Sequence, residues 1–209
     1  MNAVASPAAV ERLQDSRRAF TRSRLCAAAR EMFFANGYAE TRMDQIARAA
    51  GTKRSTLYNH FQDKNEILQQ IAEQYGESLS TIIARLAGPV PSPTEISQWL
   101  KDVAIFTAQE RTPTILLLHL GNGVEVPETV SSLGERLTQA FAARLPAFRN
   151  AVEPGPHQGL ASARARMVMR QIGLACLHHI REPESELAEN TMTVAAEAFE
   201  RFLQDESKP

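Results

Sequence analysis

Two short helical patterns that meet at one glycine, Gly51, constrain the fold of this chain more than any other feature. In the first pattern Met43, Ile46, Ala47 and Ala50 recur at three- and four-residue spacings, which indicates one apolar helix face. Glycine adopts a left-handed backbone conformation at little cost, so Gly51 suits a tight helix end. The segment therefore predicts two helices joined by a sharp turn.

The second pattern is unusually polar for so short a helix. Leu57 and Phe61 stand four residues apart and predict its inner face. A helix that packs on one side and presents polar groups on the other is typical of helix-turn-helix proteins, which place it in the DNA major groove. The alternative interpretation is a solvated helical hairpin with an ordinary charged face. We expect Thr41 and Thr52 to cap the two helices.

A longer series of residues around this hairpin resembles the DNA-binding domain of TetR-type transcriptional regulators. The resemblance runs from about residue 18 to 75 and covers a little over a quarter of the chain. Order and spacing fit without a gap over segments 28–33, 36–38, 41, 44–47, 50–51, 55–58, 60–61 and 63–68. Thr52 and Asn59 depart from the family pattern, where an apolar residue and an aromatic residue or His are common, so the register of the base contacts stays open.

The resemblance implies a set of DNA contacts. Arg54 is the main candidate for base recognition, because a guanidinium pairs with guanine O6 and N7 in one plane. Tyr58, His60 and Lys64 match contacts to the sugar-phosphate backbone, which position a domain without reading sequence. The full predicted DNA-binding set is Arg42, Met43, Lys53, Arg54, Ser55, Thr56, Tyr58, Asn59, His60 and Lys64. A basic lead-in contains Arg12, Arg17, Arg18, Arg22 and Arg24. It suits contacts along the backbone or in the minor groove, and the alternative for each arginine is a solvated helix start.

The whole chain reads as all-α with about nine helices, because no stretch alternates as a strand. We expect a flexible arm at residues 1–16, a helix-turn-helix DNA-binding domain at 17–76 and a helical ligand-binding and dimerisation domain at 77–205. Phe20 is placed on the inner face of the first helix, and Thr94 is expected to cap the fifth. The predicted helices are 17–36, 42–50, 53–61, 64–86, 94–110, 113–121, 127–145, 160–180 and 185–203, with a loop at 150–159.

The resemblance also implies a homodimer on a pseudo-palindromic operator, since two-fold dimers bring two recognition helices to two half-sites. The predicted dimer stripes are Met167, Gln171, Leu174, Cys176 and Leu177, then Met192, Ala195, Ala196, Phe199 and Phe202. The family further implies a pocket for an apolar or aromatic small-molecule effector. Its expected lining is Trp99, Val103, Phe106, Leu117, His119, Phe141, Met169, Arg170, Leu174 and His178. Taken alone, each of these residues is better explained as plain core packing than as a ligand contact.

The distribution of charge agrees with a DNA-binding N-terminal part. Between Arg12 and Lys64 there are eleven Lys or Arg against five Asp or Glu, although the chain as a whole carries a net charge of −1. A basic segment on an acidic remainder is expected where only that segment meets phosphates.

Other function classes find little support in the sequence. There is no phosphate-binding glycine loop and no paired His of a zinc protease, so we expect neither an enzyme, nor a cofactor, nor a metal site. Cys26 and Cys176 are expected to be reduced core thiols of a cytoplasmic protein, with a redox sensor as the alternative. No apolar run approaches the roughly 20 residues of a membrane span. We therefore expect a ligand-responsive repressor. The alternatives are an activator or a chromosome-organising DNA binder of the same fold and, less favoured, an enzyme.

Overall fold

The computed structural model describes residues 7–86 and 88–206, and within them the regular structure is helical without a strand. This confirms the all-α prediction. The helices are α1 Pro7–Asn36, α2 Met43–Ala49, α3 Arg54–Tyr58, α4 Lys64–Ile83, α5 Pro93–Gln109, α6 Arg111–Gly121, α7 Glu128–Ala142, a 3₁₀ turn Pro146–Phe148, α8 Arg149–Val152, α9 Gln158–Arg181 and α10 Glu186–Glu206. The described chain thus has one α-helix more than expected, since α8 begins the segment predicted as the loop 150–159.

The chain divides into two compact units, Met1–Ile71 and Ala72–Pro209, called here the N-terminal and C-terminal units. The boundary falls inside α4, a few residues before the predicted domain boundary at residue 76. Residues 1–6 of the predicted flexible arm lie outside the described residues. Residues 7–16 of that arm are helical, because α1 begins at Pro7 and not near Arg17.

The core of the N-terminal unit is built from the apolar positions of its short helices. α1 contributes Leu25, Ala29 and Phe33, each at most 1% exposed. Ile46 of α2 and Leu57 of α3 are fully buried as well, and α2 packs on both α1 and α3. Gly51 has φ +62°, the left-handed conformation expected at the turn between α2 and α3. The apolar faces of helices too short to be stable alone thus become one core.

Several helix ends differ from the expected ones. Thr41 does not cap α2. Its hydroxyl donates to the carbonyls of Met32 and Gly37 at 3.1 and 2.7 Å, and it is 1% exposed, so Arg42 takes the N-cap position. The N-cap of α3 is Lys53 and not Thr52. Phe20 is 65% exposed, because the α1 face it occupies projects away from the core.

Helix α5 also begins one residue earlier than predicted. Ser92, and not Thr94, caps this helix: Ser92 Oγ accepts from the Glu95 amide at 3.3 Å, and Glu95 Oε2 accepts from the Ser92 amide at 2.7 Å. This reciprocal capping box satisfies two backbone amides, so the helix begins at Pro93.

An aromatic cluster organises the C-terminal unit. The Trp99 ring of α5 stacks on Phe199 of α10 at 5.3 Å between centroids, and Phe141 of α7 stacks on Phe148 at 4.6 Å. Trp99 also meets the edge of Phe141 at 5.7 Å, and its Nε1 donates to the carbonyl of Ile82 at 3.2 Å. α9 and α10 pack along each other, and α5 packs on both. The cluster therefore joins helices that are distant in the sequence.

Candidate functional site

The outer face of α3 presents polar groups to solvent. Lys53, Arg54, Ser55 and Asn59 are exposed, and Tyr58 is 42% exposed. The guanidinium carbon of Arg54 lies 5.3 Å from the centroid of the Tyr58 ring, and Arg54 Nη2 is 3.4 Å from the Tyr58 hydroxyl. Leu57 anchors the opposite face. The helix therefore holds a cation on an aromatic ring, pointing away from the core.

The start of α2 adds a second exposed cation to the N-terminal unit. Arg42 is 75% exposed, and its Nε lies 3.7 Å from Asp44 Oδ1. Gln45 Oε1 accepts from the Arg42 amide at 2.8 Å and fixes the first turn of the helix. Met43 is half-buried. The predicted contact residues of α2 thus lie at a well-defined helix start.

Lys64, predicted to contact a phosphate, has partners inside the protein. Its Nζ donates to the carbonyls of Tyr38, Ala39 and Thr41 at 2.9, 2.7 and 3.4 Å, and it lies 4.8 Å from the centroid of the Tyr38 ring. An ammonium has three N–H donors, so these bonds use all of them. The phosphate contact stays a prediction, and the structure gives Lys64 an internal role that the sequence did not suggest.

Two arginines of the basic lead-in also bind the protein itself. Arg22 donates to the carbonyl of His60 at 2.6 Å and to Gln70 Oε1 at 3.0 Å, and its guanidinium lies 4.2 Å from the centroid of the Phe61 ring. Arg24 Nη2 donates to the carbonyl of Ala50 at 2.5 Å. These side chains hold the ends of α2 and α3 on α1, whereas Arg12, Arg17 and Arg18 are exposed.

His60 sits at the edge of this arginine pair and is half-buried. Burial first, and then the positive charges of Arg18 and Arg22, lower the pKa of His60 below its usual value. Its Nδ1 is buried without a hydrogen-bond partner in the described part of the chain. The ring is therefore kept neutral near pH 7.

A cavity of about 830 Å³ lies in the C-terminal unit. Residues from α4 to α9 line it, and its inner wall includes Trp99, Val103, Leu133 and Phe141, all buried. This volume is within the range of sites for small organic ligands.

Buried hydroxyls form one patch of the cavity wall. Thr114 Oγ1 lies 3.1 Å from the Tyr75 hydroxyl and 3.3 Å from the carbonyl of Thr107. Burial raises the pKa of Tyr75, so its hydroxyl stays protonated.

Both cysteines are buried. Burial raises the pKa of Cys176 to about 11, although a hydrogen bond with Thr107 opposes the shift. Burial also raises the pKa of Cys26 to about 11. Protonated buried thiols do not favour the redox-sensor alternative.

The predicted pocket residues divide into two groups. Trp99, Val103, Leu117, Phe141, Met169 and Arg170 line the cavity. Phe106, His119, Leu174 and His178 are not among its lining residues. The Phe106 ring packs on Tyr75 at 5.3 Å instead, His119 is exposed, and Leu174 is 55% exposed. The sequence showed which helices carry apolar faces but not which turn of each helix points inward.

Two rows of exposed apolar side chains run along α9 and α10. On α9 they are Leu160, Met167 and Leu174, and on α10 Leu187 and Val194, each at least 54% exposed and seven residues from the next in its row. The predicted dimer stripes contain Met167 and Leu174, but Cys176, Ala195, Phe199 and Phe202 belong to the buried core. The seven-residue spacing of apolar residues was the sequence signal that would have identified Leu160, Leu187 and Val194.

Comparison with known proteins matches residues 25–71 to the family model described as bacterial regulatory proteins, tetR family. The chain is 47% identical over 51 residues to the HTH-type transcriptional regulator SrpR of Pseudomonas putida, a match that covers 24% of each chain. It is 26% identical over 129 residues to the regulator UidR of Escherichia coli strain K12, covering 60% of this chain and 64% of UidR.

Residues 25–71 therefore carry the sequence pattern of the tetR family. Among solved structures, SmeT, the repressor of the Stenotrophomonas maltophilia multidrug efflux pump SmeDEF, has the same fold with a TM-score of 0.61 at 19% identity. That match covers 88% of this chain and 89% of SmeT. The matched stretches span about a quarter of SrpR and less than two thirds of UidR.

The matched proteins are named as transcriptional regulators or repressors, which agrees with the expectation that the chain is not an enzyme. Across residues 7–86 and 88–206, no group of three His, Cys, Asp or Glu side chains is arranged to hold a metal ion. None of the described helices is both long and apolar enough to cross a membrane.

Proposed function

We propose that the chain is a sequence-specific DNA-binding transcriptional repressor that a small, largely apolar molecule releases from its operator. The observation that carries the proposal is the α2–Gly51–α3 turn, which buries Leu57 and exposes Arg54 on the opposite side of α3. An exposed short helix with a cation beside an aromatic ring suits insertion into a major groove, where Arg pairs with guanine and Tyr with the backbone.

The DNA part of the proposal is tested by selecting bound sequences from a random duplex library and titrating the best one. Arg54→Ala is expected to weaken specific binding by about 1–3 kcal/mol and to relax preference at one base position. Arg201→Ala, which removes the same group from an exposed site on α10, is the matched control and should change nothing. Equal affinities for all three proteins would contradict the proposed docking of α3.

A homodimer is the assembly we infer, with a second copy of the chain covering the apolar rows of α9 and α10. Five exposed large apolar side chains on two adjacent helices form a surface that a lone protein rarely leaves in water. Two-fold pairing would also supply the second α3 that an operator with two half-sites requires.

Sedimentation measures this assembly directly. Leu174→Glu and Val194→Glu place a charge in each row and are expected to shift the protein toward monomer at micromolar concentration. Ile105→Glu changes an equally exposed apolar residue on α5, outside the rows, and should leave the assembly unaltered. A wild-type chain that sediments as a monomer would exclude the inferred dimer.

Release by a ligand follows from differential binding. A molecule that occupies the cavity of the C-terminal unit lowers DNA affinity only if it binds better to a conformation that fits the operator poorly. α4 contains the boundary between the two units, so a shift of this helix is the proposed route of the change. A thermal-shift screen identifies stabilising molecules, and titration of operator DNA in their presence then measures release.

The alternatives predict different outcomes in the same experiments. A chromosome-organising protein would bind many sequences with similar affinity and would ignore cavity ligands. An activator would share the DNA and ligand results and differ only in a transcription assay. Ligands that stabilise the protein without altering its DNA affinity would contradict the release mechanism.

A further inference from the structure

The polarity of the cavity lining changes with depth. Its buried wall is apolar and includes Trp99, Val103, Leu137 and Phe141. The hydroxyls of Tyr75, Thr107 and Thr114 also line this part, but they already have hydrogen-bond partners within the protein. The exposed lining residues are largely polar. A ligand that fills this space therefore meets an apolar interior and a polar rim.

One side of the rim is a row on α9. Gln158, Ser162, Arg166 and Arg170 line the cavity and follow each other at four-residue intervals. Residues at this spacing lie on the same face of a helix. The row places two guanidinium groups one turn apart at the open side of the cavity.

The charge of the rim is positive. The ionised side chains of the lining are Arg166, Arg170 and Glu135, so two positive charges minus one negative charge leave +1. Arg170 Nη2 donates to the carbonyl of Gly121 at 3.0 Å, which holds its guanidinium at the rim and uses one of five N–H donors. A guanidinium binds carboxylate or phosphate oxygens in a paired geometry, whereas it repels a cationic group.

We propose that the cavity takes amphipathic molecules with an apolar body and an anionic head group, and that Arg166 and Arg170 bind the head. The inference rests on the proposed function, in which this cavity holds the effector, and it names the chemical class of that effector. The body occupies the space beside Trp99 and Phe141, and the head stays at the α9 row. A cationic amphiphile of the same size is rejected.

The test compares decanoate, decanol and decylamine by isothermal titration calorimetry with the full chain, each below its micelle-forming concentration. Decanoate is expected to bind tightest and decylamine weakest. Arg166→Gln should weaken the binding of decanoate about threefold, as expected for the loss of one exposed charge, and should leave the binding of decanol unchanged. Glu135→Gln should strengthen decanoate by a similar factor. Lys101→Gln, which removes an exposed charge of α5 outside the cavity, is the matched control. Added salt should weaken decanoate only.

The outcomes separate the two proposals. Decanol binding as tightly as decanoate, with no effect of Arg166→Gln or Glu135→Gln, would overturn the head-group inference and leave a ligand cavity in place. Failure of all three probes to bind would contradict the cavity as an effector site and the inference with it. The inference is supported if decanoate binds more tightly than decanol and decylamine, and if its affinity changes with Arg166→Gln, with Glu135→Gln and with salt.

Discussion

Lys64→Ala is expected to destabilise the N-terminal unit, because the Lys64 ammonium holds the loop between α1 and α2 on the first turn of α4. Its three hydrogen bonds end on the carbonyls of Tyr38, Ala39 and Thr41. Removal of the ammonium leaves these carbonyls without their cationic donor. The loop then depends on the Thr41 side chain and on the Phe33–Tyr38 ring contact at 5.0 Å.

The magnitude follows from the exposure of each bond. A hydrogen bond to a charged group contributes about 1.5–3 kcal/mol. The bond to Ala39 is exposed, so water replaces it, and the bond to Thr41 is long at 3.4 Å. The part-buried bond to Tyr38 therefore dominates, and we expect a total loss of about 2 kcal/mol. For cooperative unfolding of a chain of this length, that loss lowers Tm by about 4–8 °C.

Urea unfolding followed by circular dichroism measures the loss. Lys53→Ala is the control, because Lys53 is an exposed residue at the N-cap of α3, and its removal should cost less than about 0.5 kcal/mol. In DNA titrations well below Tm, Lys53→Ala should weaken binding more than Lys64→Ala. If Lys64→Ala instead unfolds like the wild type and loses both DNA affinity and salt dependence, Lys64 is a phosphate contact and the reasoning is wrong.

Three further predictions concern stability and reactivity. Gly134→Ala should stabilise the protein by about 0.5–1 kcal/mol, since an added Cβ in α7 meets nothing within 4 Å. Gly173→Ala brings a Cβ to 2.8 Å from the end of the Leu118 side chain, which must shift, so it should stabilise the protein less; equal calorimetric shifts would contradict this contrast. The pKa of His60 is lowered in the folded state, so below its unfolded value of about 6.5 the unfolded state takes up the proton first and stability decreases as the pH falls. His60→Asn should therefore lose less Tm between about pH 7.5 and about pH 5.5 than the wild type, and identical losses would refute the assignment. Cys26 and Cys176, with pKa values raised to about 11 by burial, should resist iodoacetamide at about pH 8 until urea unfolds the chain, and rapid native labelling would count against their burial.

The sequence predicted the helices well where periodicity and turn chemistry agreed. α2, Gly51 and α3 have strong local signals, because the apolar spacing and the glycine specify the same geometry. The helix starts were less predictable, since the hydroxyl of a threonine before a helix can cap that helix or bond to another part of the chain. Thr41 is buried and bonds to the end of α1, which depends on tertiary packing and not on the local sequence.

The candidate sites were predictable only in part for the same reason. The exposed face of α3 follows from its own period, so Lys53, Arg54 and Tyr58 were assigned outward correctly. The internal bonds of Arg22 and Lys64 depend on residues 23 or more positions away. Arg170 lines the cavity and Leu174, four residues further along α9, does not. The rotation of α9 about its axis decides this difference, and the sequence pattern of one helix does not specify that rotation.

Trp99 gives the protein an intrinsic optical probe. It is the single tryptophan of the chain, and its ring lies in the cavity wall on one side and against Phe199 of α10 on the other. Its emission will therefore report both the arrival of a molecule in the cavity and any change in the packing of α10. Stopped-flow fluorescence of the unlabelled protein can time ligand entry, and labelled operator DNA can time dissociation in parallel. The order of the two signals distinguishes a ligand that selects a pre-existing conformation from one that binds first and changes it afterwards.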